Sequence, residues 1–205
     1  MKSKIYGLIL SAGFSSRMDE FKPLASYKNK TFIEHIINKL STVCDDILIV
    51  TGYNNKILEE SVRVVYKSDD VLKKIDFVFN PKFQNGMFSS IKTGVKSLLH
   101  KMSKSDYVML HLVDQPHISE SVYTVLAERT HDERLDVIIP SYNMKAGHPI
   151  VLSRDVIEYV ASVPDSDSLR DILKKWREDT TYVVIEDKSI IQDINTPDEV
   201  KEYLD

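Results

Sequence analysis

The sequence predicts an α/β fold: a mostly parallel, twisted sheet with helices on both faces, in one domain spanning residues 1–205. Three observations predict it. Strand-like apolar runs alternate with helix-period segments as far as Pro140, which is the pattern of βα units wound on a shared sheet. The first apolar run, residues 5–10, ends in small and hydroxylated residues followed by an arginine and a lysine, as when a buried strand feeds a ligand loop. The chain has 205 residues, 42% of them hydrophobic and 28% charged, enough to bury a substantial core under a charged surface.

The loop after the first run organises the rest. It reads Leu10-Ser11-Ala12-Gly13-Phe14-Ser15-Ser16-Arg17-Met18, with Lys22-Pro23-Leu24 just beyond. Ala12 and Gly13 let backbone approach a ligand closely, and the N–H groups of such a loop can cradle phosphate oxygens. Ser15 and Ser16 add hydroxyls, and Arg17 and Lys22 add fixed positive charge suited to phosphate. The reading is a polyanion site at the carboxyl end of strand one; an ordinary strand-to-helix turn with two solvated cations is the alternative. No Gly-Lys-Ser/Thr closes a P-loop, and a single glycine does not make a dinucleotide fingerprint.

The elements follow in order. Residues 32–40 have helical spacing, with Thr31 as N-cap. Residues 46–51 form a second buried strand ending at Gly52, and 55–63 a helix. Residues 75–79 are a third strand running into Asn80-Pro81, and Gly86 opens a helix that continues to about His100. Residues 107–113 give the strongest central strand signal and end at Asp114-Gln115-Pro116. A helix from Ser119 to about Thr130 and a strand over 136–140 come next. Beyond Pro140 the pattern changes to a loop over 141–148, a strand over 149–152, helices over 154–163 and 168–176, and a last strand over 181–185. Thr196 and Pro197 start a terminal helix. Met87, Met102, Met109 and Met144 form no stripe and read as core filler.

The formal net charge of −4 argues against nucleic-acid and acidic-membrane surfaces, while allowing a local basic pocket. A single cysteine, Cys44, excludes an internal disulfide framework and a Cys-rich zinc site, and reads as a small half-buried residue. No cleavable signal and no run of membrane-spanning length is present, so a cytoplasmic location is expected.

Asp114, at a strand end, would share a sheet edge with the first loop if the strands are parallel. A lone carboxylate there suits Mg²⁺, which shares substrate phosphates and keeps waters; a turn aspartate before Pro116 is the other reading. Asp193 and Asn195 form a second oxygen cluster where a strand should end, either a turn with a helix cap or the completion of a magnesium site with Asp114. Gly86 to Ser90 joins a glycine, two hydroxyls and helix-start N–H groups, for anion binding or for capping alone. His148, in Gly147-His148-Pro149, could be a general base, a substrate contact or a surface histidine. His111 reads as a hydrogen-bonded core or edge residue. No zinc spacing and no Gly-x-Ser-x-Gly elbow occurs.

With these motifs in hand, the chain resembles the molybdenum cofactor cytidylyltransferases and their MobA-like nucleotidyltransferase relatives over nearly its whole length. Leu10, Ala12, Gly13, Ser15, Arg17, Met18 and Lys22 match the opening motif, with Ser11 in place of an alanine and Asp19 in place of a glycine. Asn80, Pro81, Gly86, Met87 and Ser90 match a second segment, and Asp114-Gln115-Pro116 a third. The terminal Asp-x-Asp-Thr-Pro segment matches except for Asn195. The guanylyltransferase branch usually has Gly-Gly where this chain has Ala12-Gly13.

The resemblance implies a Rossmann-like three-layer nucleotidyltransferase fold. It implies CMP transfer from CTP to the terminal phosphate of molybdenum-loaded molybdopterin, with release of pyrophosphate. Arg17 and Lys22 would offset leaving-group charge. Asp114, with Asp193 or Asn195, would hold Mg²⁺. Leu10, Ala12, Gly13, Ser15, Asn80, Gly86, Ser90 and Gln115 would hold the nucleotide, and His148 would lie on the pterin side. A molybdenum hydroxylase is the implied downstream partner. Two rivals stand beside this reading: a sugar- or polyol-phosphate nucleotidyltransferase, and a non-catalytic molybdopterin carrier.

Overall fold

The computed structural model describes residues 3–15, 18, 20–131, 135–165 and 167–203. Strand β1 (Ile5–Ser11) is buried along its whole length, so it can only be a central strand. Around it lies an eight-stranded sheet in the order β10-β7-β9-β6-β1-β4-β5, with β8 paired to β7. The strands are β4 (Asp46–Thr51), β5 (Ile75–Phe79), β6 (Tyr107–Leu112), β7 (Val137–Tyr142), β8 (Lys145–Ala146), β9 (Ile150–Ser153) and β10 (Thr180–Val184). A separate two-stranded ribbon joins β2 (Ser26–Tyr27) to β3 (Lys30–Thr31). The sheet is mostly parallel; β9 runs antiparallel between β6 and β7, and β8 antiparallel to β7.

Alternate residues of β1 send their side chains to opposite layers, as the strand period of two requires. Ile5 and Ile9 pack with α1 (Phe32–Val43), α2 (Asn55–Val65) and α4 (Glu120–Arg129). Leu8 and Leu10 pack with α3 (Met87–Leu99), α5 (Arg154–Ser162) and α6 (Leu169–Leu173). A terminal helix, α7 (Pro197–Glu202), follows. Capping boxes fix the starts of α1, by Thr31 and Glu34, and of α7, by Thr196 and Glu199.

Several expectations need correcting. Residues 141–148 are not a loop: β7 continues to Tyr142 and turns through Asn143 and Met144, both at positive φ, into β8. Asp193 and Asn195 follow a 3-10 turn (Lys188–Ile191), not a strand. Ser119 occupies the N-cap position of α4 but makes no side-chain capping hydrogen bond; its hydroxyl donates to Asp187 Oδ2. The helix expected over 168–176 is α6 followed by a 3-10 turn (Lys174–Trp176). Met102 and Met109 are core residues, but Met87 and Met144 are exposed. Cys44 is buried at the end of α1, and burial pushes its thiol pKa up, as suits an inert packing residue.

His111 is the core histidine expected. Its Nδ1 lies 2.7 Å from the Leu112 carbonyl and its Nε2 2.6 Å from the Tyr123 hydroxyl. A neutral ring donating from Nδ1 and accepting at Nε2 satisfies both contacts. Burial pushes His111 down to about 3 and His117 to about 4. The unfolded chain takes up these protons near pH 6.5 and the folded chain only well below it, so acidification favours unfolding. We expect urea unfolding free energy to hold above pH 6.5 and then fall, by up to about 1.4 kcal/mol per pH unit for His111 alone. A flat urea midpoint between pH 7 and 5 contradicts this.

Candidate active site

Chain order takes β4 and β5 to one side of β1 and then returns β6 to the other. The sheet therefore has a switch point at β1, and open α/β sheets bind ligands there, outside the carboxyl ends of the strands. Ser11, Thr51 and Leu112 end three adjacent parallel strands on that edge. The loop leaving β1 is held by Tyr53, whose N–H donates to the Ala12 carbonyl at 3.1 Å. Gly52 permits this approach: a Cβ there would lie 2.6 Å from the Ala12 oxygen and 2.7 Å from Phe83 Cβ.

A cavity of about 300 Å³ opens over this loop. Leu10, Ala12, Gly13, Ser15, Lys22, Gly86, Ser90 and Asp114 line it, so the structure brings together eight residues selected from motifs up to a hundred positions apart. Ser11, Phe83, Met87 and Leu112 also line it and were not selected. Arg17 lies outside the described residues.

Two hydroxyls are poised as donors. Ser15 Oγ accepts the Lys22 backbone N–H at 2.9 Å, and Ser90 Oγ accepts from Asn80 Nδ2 at 3.0 Å. With those acceptor roles filled, each can give its proton to an oxygen in the cavity. Asn80 is buried behind the wall; its amide also donates to Ser89 Oγ, and its Oδ1 accepts from the Lys82 N–H. Gly86 begins α3 at φ 92°, a region open chiefly to glycine, and supplies no side-chain cap. The capping alternative for this segment therefore lacks its hydrogen bond at Gly86. The start of a 13-residue helix instead faces the cavity, where its dipole favours negative charge.

The charged end is built from three segments. Lys22 Nζ is nearly buried, 3.6 Å from Asp114 Oδ2, and donates to Asn195 Oδ1 at 2.9 Å. The Ile194 N–H donates to the Asp114 carbonyl at 2.8 Å, which fastens the segment carrying Asp193 and Asn195 onto the end of β6. Gln115 is buried and its Nε2 donates to Asp193 Oδ1 at 2.9 Å. Burial and the neighbouring Asp193 carboxylate raise the Asp114 pKa, against the lowering effect of Lys22.

Asp114 Oδ1 and Gln115 Oε1 are buried and lack a hydrogen-bond partner. A buried carboxylate oxygen left this way, beside a second acid, fits a cation. Among the described residues no three His, Cys, Asp or Glu side chains group as metal ligands. The donor set is thus too small for a closed protein cage and suits a hard ion that takes its remaining oxygens from substrate and water.

His148 does not reach this cavity's lining. It is half-buried in the wall of a second cavity of about 670 Å³. Burial lowers its pKa, with Asp193 opposing. Met87 and Leu112 line both cavities, so the two adjoin. Arg170, Lys174 and Arg177 also line the second one. Arg170 stands in α6, Lys174 in the 3-10 turn after it and Arg177 just beyond that turn.

The open α/β sheet, with a buried lysine and a carboxylate beside the loop at its switch point, has the nucleotidyltransferase fold, and solved structures agree. A nucleotidyl transferase from Methanothermobacter thermautotroptrophicus superposes with a TM-score of 0.77 at 19% identity, covering 99% of each chain. A 4-diphosphocytidyl-2C-methyl-D-erythritol synthase from Anaerococcus prevotii gives 0.74 at 16% identity, over 98% of this chain and 95% of that one. At such identities the likeness is one of fold alone.

The chain belongs to the MobA-like NTP transferase domain family, which matches residues 7–181. It is 28% identical to the molybdenum cofactor cytidylyltransferase of Escherichia coli (strain K12), over 96% of this chain and 94% of that protein. It is 29% identical to a "probable molybdenum cofactor guanylyltransferase" of Bacillus cereus (strain B4264), over 69% of this chain and 64% of that protein. No helix among the described residues is long and apolar enough to cross a membrane.

Proposed function

We propose that the protein transfers CMP from CTP to the terminal phosphate of molybdenum-loaded molybdopterin, giving the cytosine dinucleotide and pyrophosphate. The observation that carries the reading is the pair of adjoining cavities, one built on the loop after β1 with Lys22 and Asp114 in its wall, the other larger and lined from β6, β7 and β9, with Asp114 close to their shared wall at Leu112. A nucleotide fits the first and a ring-bearing phosphate ester the second. The near full-length similarity to a cytidylyltransferase supports the acceptor. Ala12 supports the base, because its methyl narrows a position where the guanylyl branch carries glycine.

In this reading an acceptor phosphate oxygen forms a bond to the α-phosphorus, and the bond from that phosphorus to the β-phosphate bridging oxygen breaks. The attacking oxygen is already ionised near neutral pH, so positioning and charge neutralisation supply the catalysis. Lys22 offsets charge on the departing pyrophosphate, with Arg17 as a second cation. Ser15, Ser90 and the α3 N-terminus donate to nucleotide oxygens. Asp114 and Asp193 would hold Mg²⁺, which neutralises phosphate charge when bound. Asn195 Oδ1 accepts from Lys22, and in this reading it holds that ammonium in place.

The test is pyrophosphate release with Mg²⁺ and each of CTP, GTP, UTP and ATP, with and without molybdenum-loaded molybdopterin. We expect release with CTP plus the pterin. Release with GTP in its place overturns the base, and release with a phosphosugar overturns the acceptor. Tight pterin binding with no release from any nucleotide identifies a carrier instead.

A further inference from the structure

Strand β5 closes one side of the sheet and pairs with β4 alone. Just beyond it, the Asn80 N–H donates to the Thr51 carbonyl at 2.8 Å, so Asn80 turns its backbone toward β4. Backbone groups alternate between the two sides of a strand. Asp76 and Val78 therefore also face β4, while Phe77 and Phe79 turn their N–H and C=O groups outward. Among the described residues nothing bonds to those outward groups. Open edges are usually blunted by lysine, proline or a bulge, and β5 carries none of these. Its one charge, Asp76, lies on the opposite face from Phe77 and is paired with Lys101 at 2.5 Å. Phe79 is 46% exposed.

This edge is complementary to itself. A second copy laid antiparallel about a two-fold axis at Phe77 sets Phe77 against Phe77, Ile75 against Phe79 and Asp76 against Val78. Because Phe77 turns its backbone outward, the central pair is of the hydrogen-bonded kind. Each Phe77 N–H then meets the other's carbonyl, and each Phe79 N–H meets an Ile75 carbonyl. The aromatic and β-branched side chains of these pairs lie beside each other on one face.

The helix beside the edge fits the same axis. α2 connects β4 to β5, and its Leu58 and Val62 share a core cluster with Ile49 and Ile75. A helix seated over those two strands lies about 5 Å from the axis, which sets the two copies of α2 antiparallel and roughly 10 Å apart. Packed helices are spaced about 8–10 Å. The Arg63 guanidinium lies 5.1 Å from the centre of the Phe77 ring, so this flank of α2 is the one turned to the edge. Helical side chains lean toward the helix N-terminus, which brings the turn between Glu59 and Arg63 level with Phe77. Glu59 shares the flank, being four residues before Arg63. Antiparallel packing centred on that turn sets Glu59 against Arg63 of the second copy, and Arg63 against its Glu59. Lys56 and Lys67 then fall opposite Tyr66 and Asn55, so no like charges meet along the flank. Neither Glu59 nor Arg63 forms an ion pair with another described residue.

The geometry points to a two-fold dimer of this chain, joined β5 to β5 and α2 to α2, with reciprocal Glu59–Arg63 ion pairs. That reciprocity is what selects a second copy over an unrelated strand, because the same flank supplies both signs in the order that a two-fold axis matches. Neither cavity is lined by β5 or α2, so both stay open in the dimer.

Sedimentation velocity across about 1–200 μM protein tests this. A short strand and one helix per copy make a small interface, so we expect reversible dimerisation with a Kd of about 1–100 μM. Amide exchange at Phe77 and Phe79 should slow as concentration rises. Glu59→Arg puts like charges together at two symmetric positions and should weaken the dimer about tenfold or more. The double variant Glu59→Arg/Arg63→Glu reverses both signs and should recover most of that loss. Val184→Lys, on the opposite edge strand β10, should change nothing. A monomer throughout the range overturns the proposal, as does a dimer indifferent to Glu59→Arg, a double variant no better than the single one, or a dimer that Val184→Lys takes apart.

Discussion

Asp114→Asn is expected to lower kcat/KM for nucleotidyl transfer at least about a thousandfold while leaving the melting temperature unchanged or raising it. The two effects share one cause. Asp114 is largely shielded from solvent, and burial together with Asp193 raises its pKa, so its ionised form is held at a cost. Lys22, at 3.6 Å, recovers only part of that cost. Asparagine keeps the shape and removes the charge. Relief of about 1 kcal/mol would raise the melting temperature by about 2–4 °C in a chain of this size. Catalysis loses the carboxylate oxygen that stands unpartnered at the cavity edge. Calorimetric melting and Mn²⁺ titration read the two sides separately. Retained magnesium-dependent turnover excludes Asp114 as a metal ligand, and a large drop in melting temperature shows its charge to be structural.

What was legible in the sequence was local. Residues 5–10 declare a buried strand because no polar residue interrupts them, and the capping boxes at Thr31 and Thr196 mark helix starts within four residues. The β7–β8 hairpin was not legible: β8 is two residues long, too short to show alternation, and its turn uses Asn143 and Met144 at positive φ rather than a glycine. The candidate site divides the same way. The Ala12-Gly13 loop and Asp114 could be found from the residues around them. That Asn195 grips Lys22 depends on a contact across 173 positions, and the hydrogen bond from Ile194 to Asp114 that creates it has no local signature. That Arg170, Lys174 and Arg177 line the second cavity depends on where α6 and the turn after it meet the sheet, which no local pattern shows.

Lys22→Met should damage both function and fold, which sets it apart from Asp114→Asn. Its ammonium is the cation nearest Asp114 among the described residues and is only 11% exposed, so its charge acts through little solvent. Methionine keeps most of the length and removes the charge. Asp114 and Asp193 then face each other with less compensation, and the Asp114 pKa rises further. The acid limb of the pH–rate profile should therefore move to higher pH if, as proposed, the ionised carboxylate holds the metal. We expect kcat/KM for the nucleotide to fall about a hundredfold or more, with the loss of one charged partner to a phosphate oxygen. Stability at pH 8 should fall by about 1–3 kcal/mol, from a half-buried carboxylate that has lost its counter-ion and the loss of the Lys22–Asn195 hydrogen bond. The double variant Lys22→Met/Asp114→Asn carries the argument to its end. If the two groups form one electrostatic unit, the second substitution restores most of the stability lost by the first and none of the activity. Additive losses of stability across the cycle mean that Lys22 and Asp114 are neighbours without being partners.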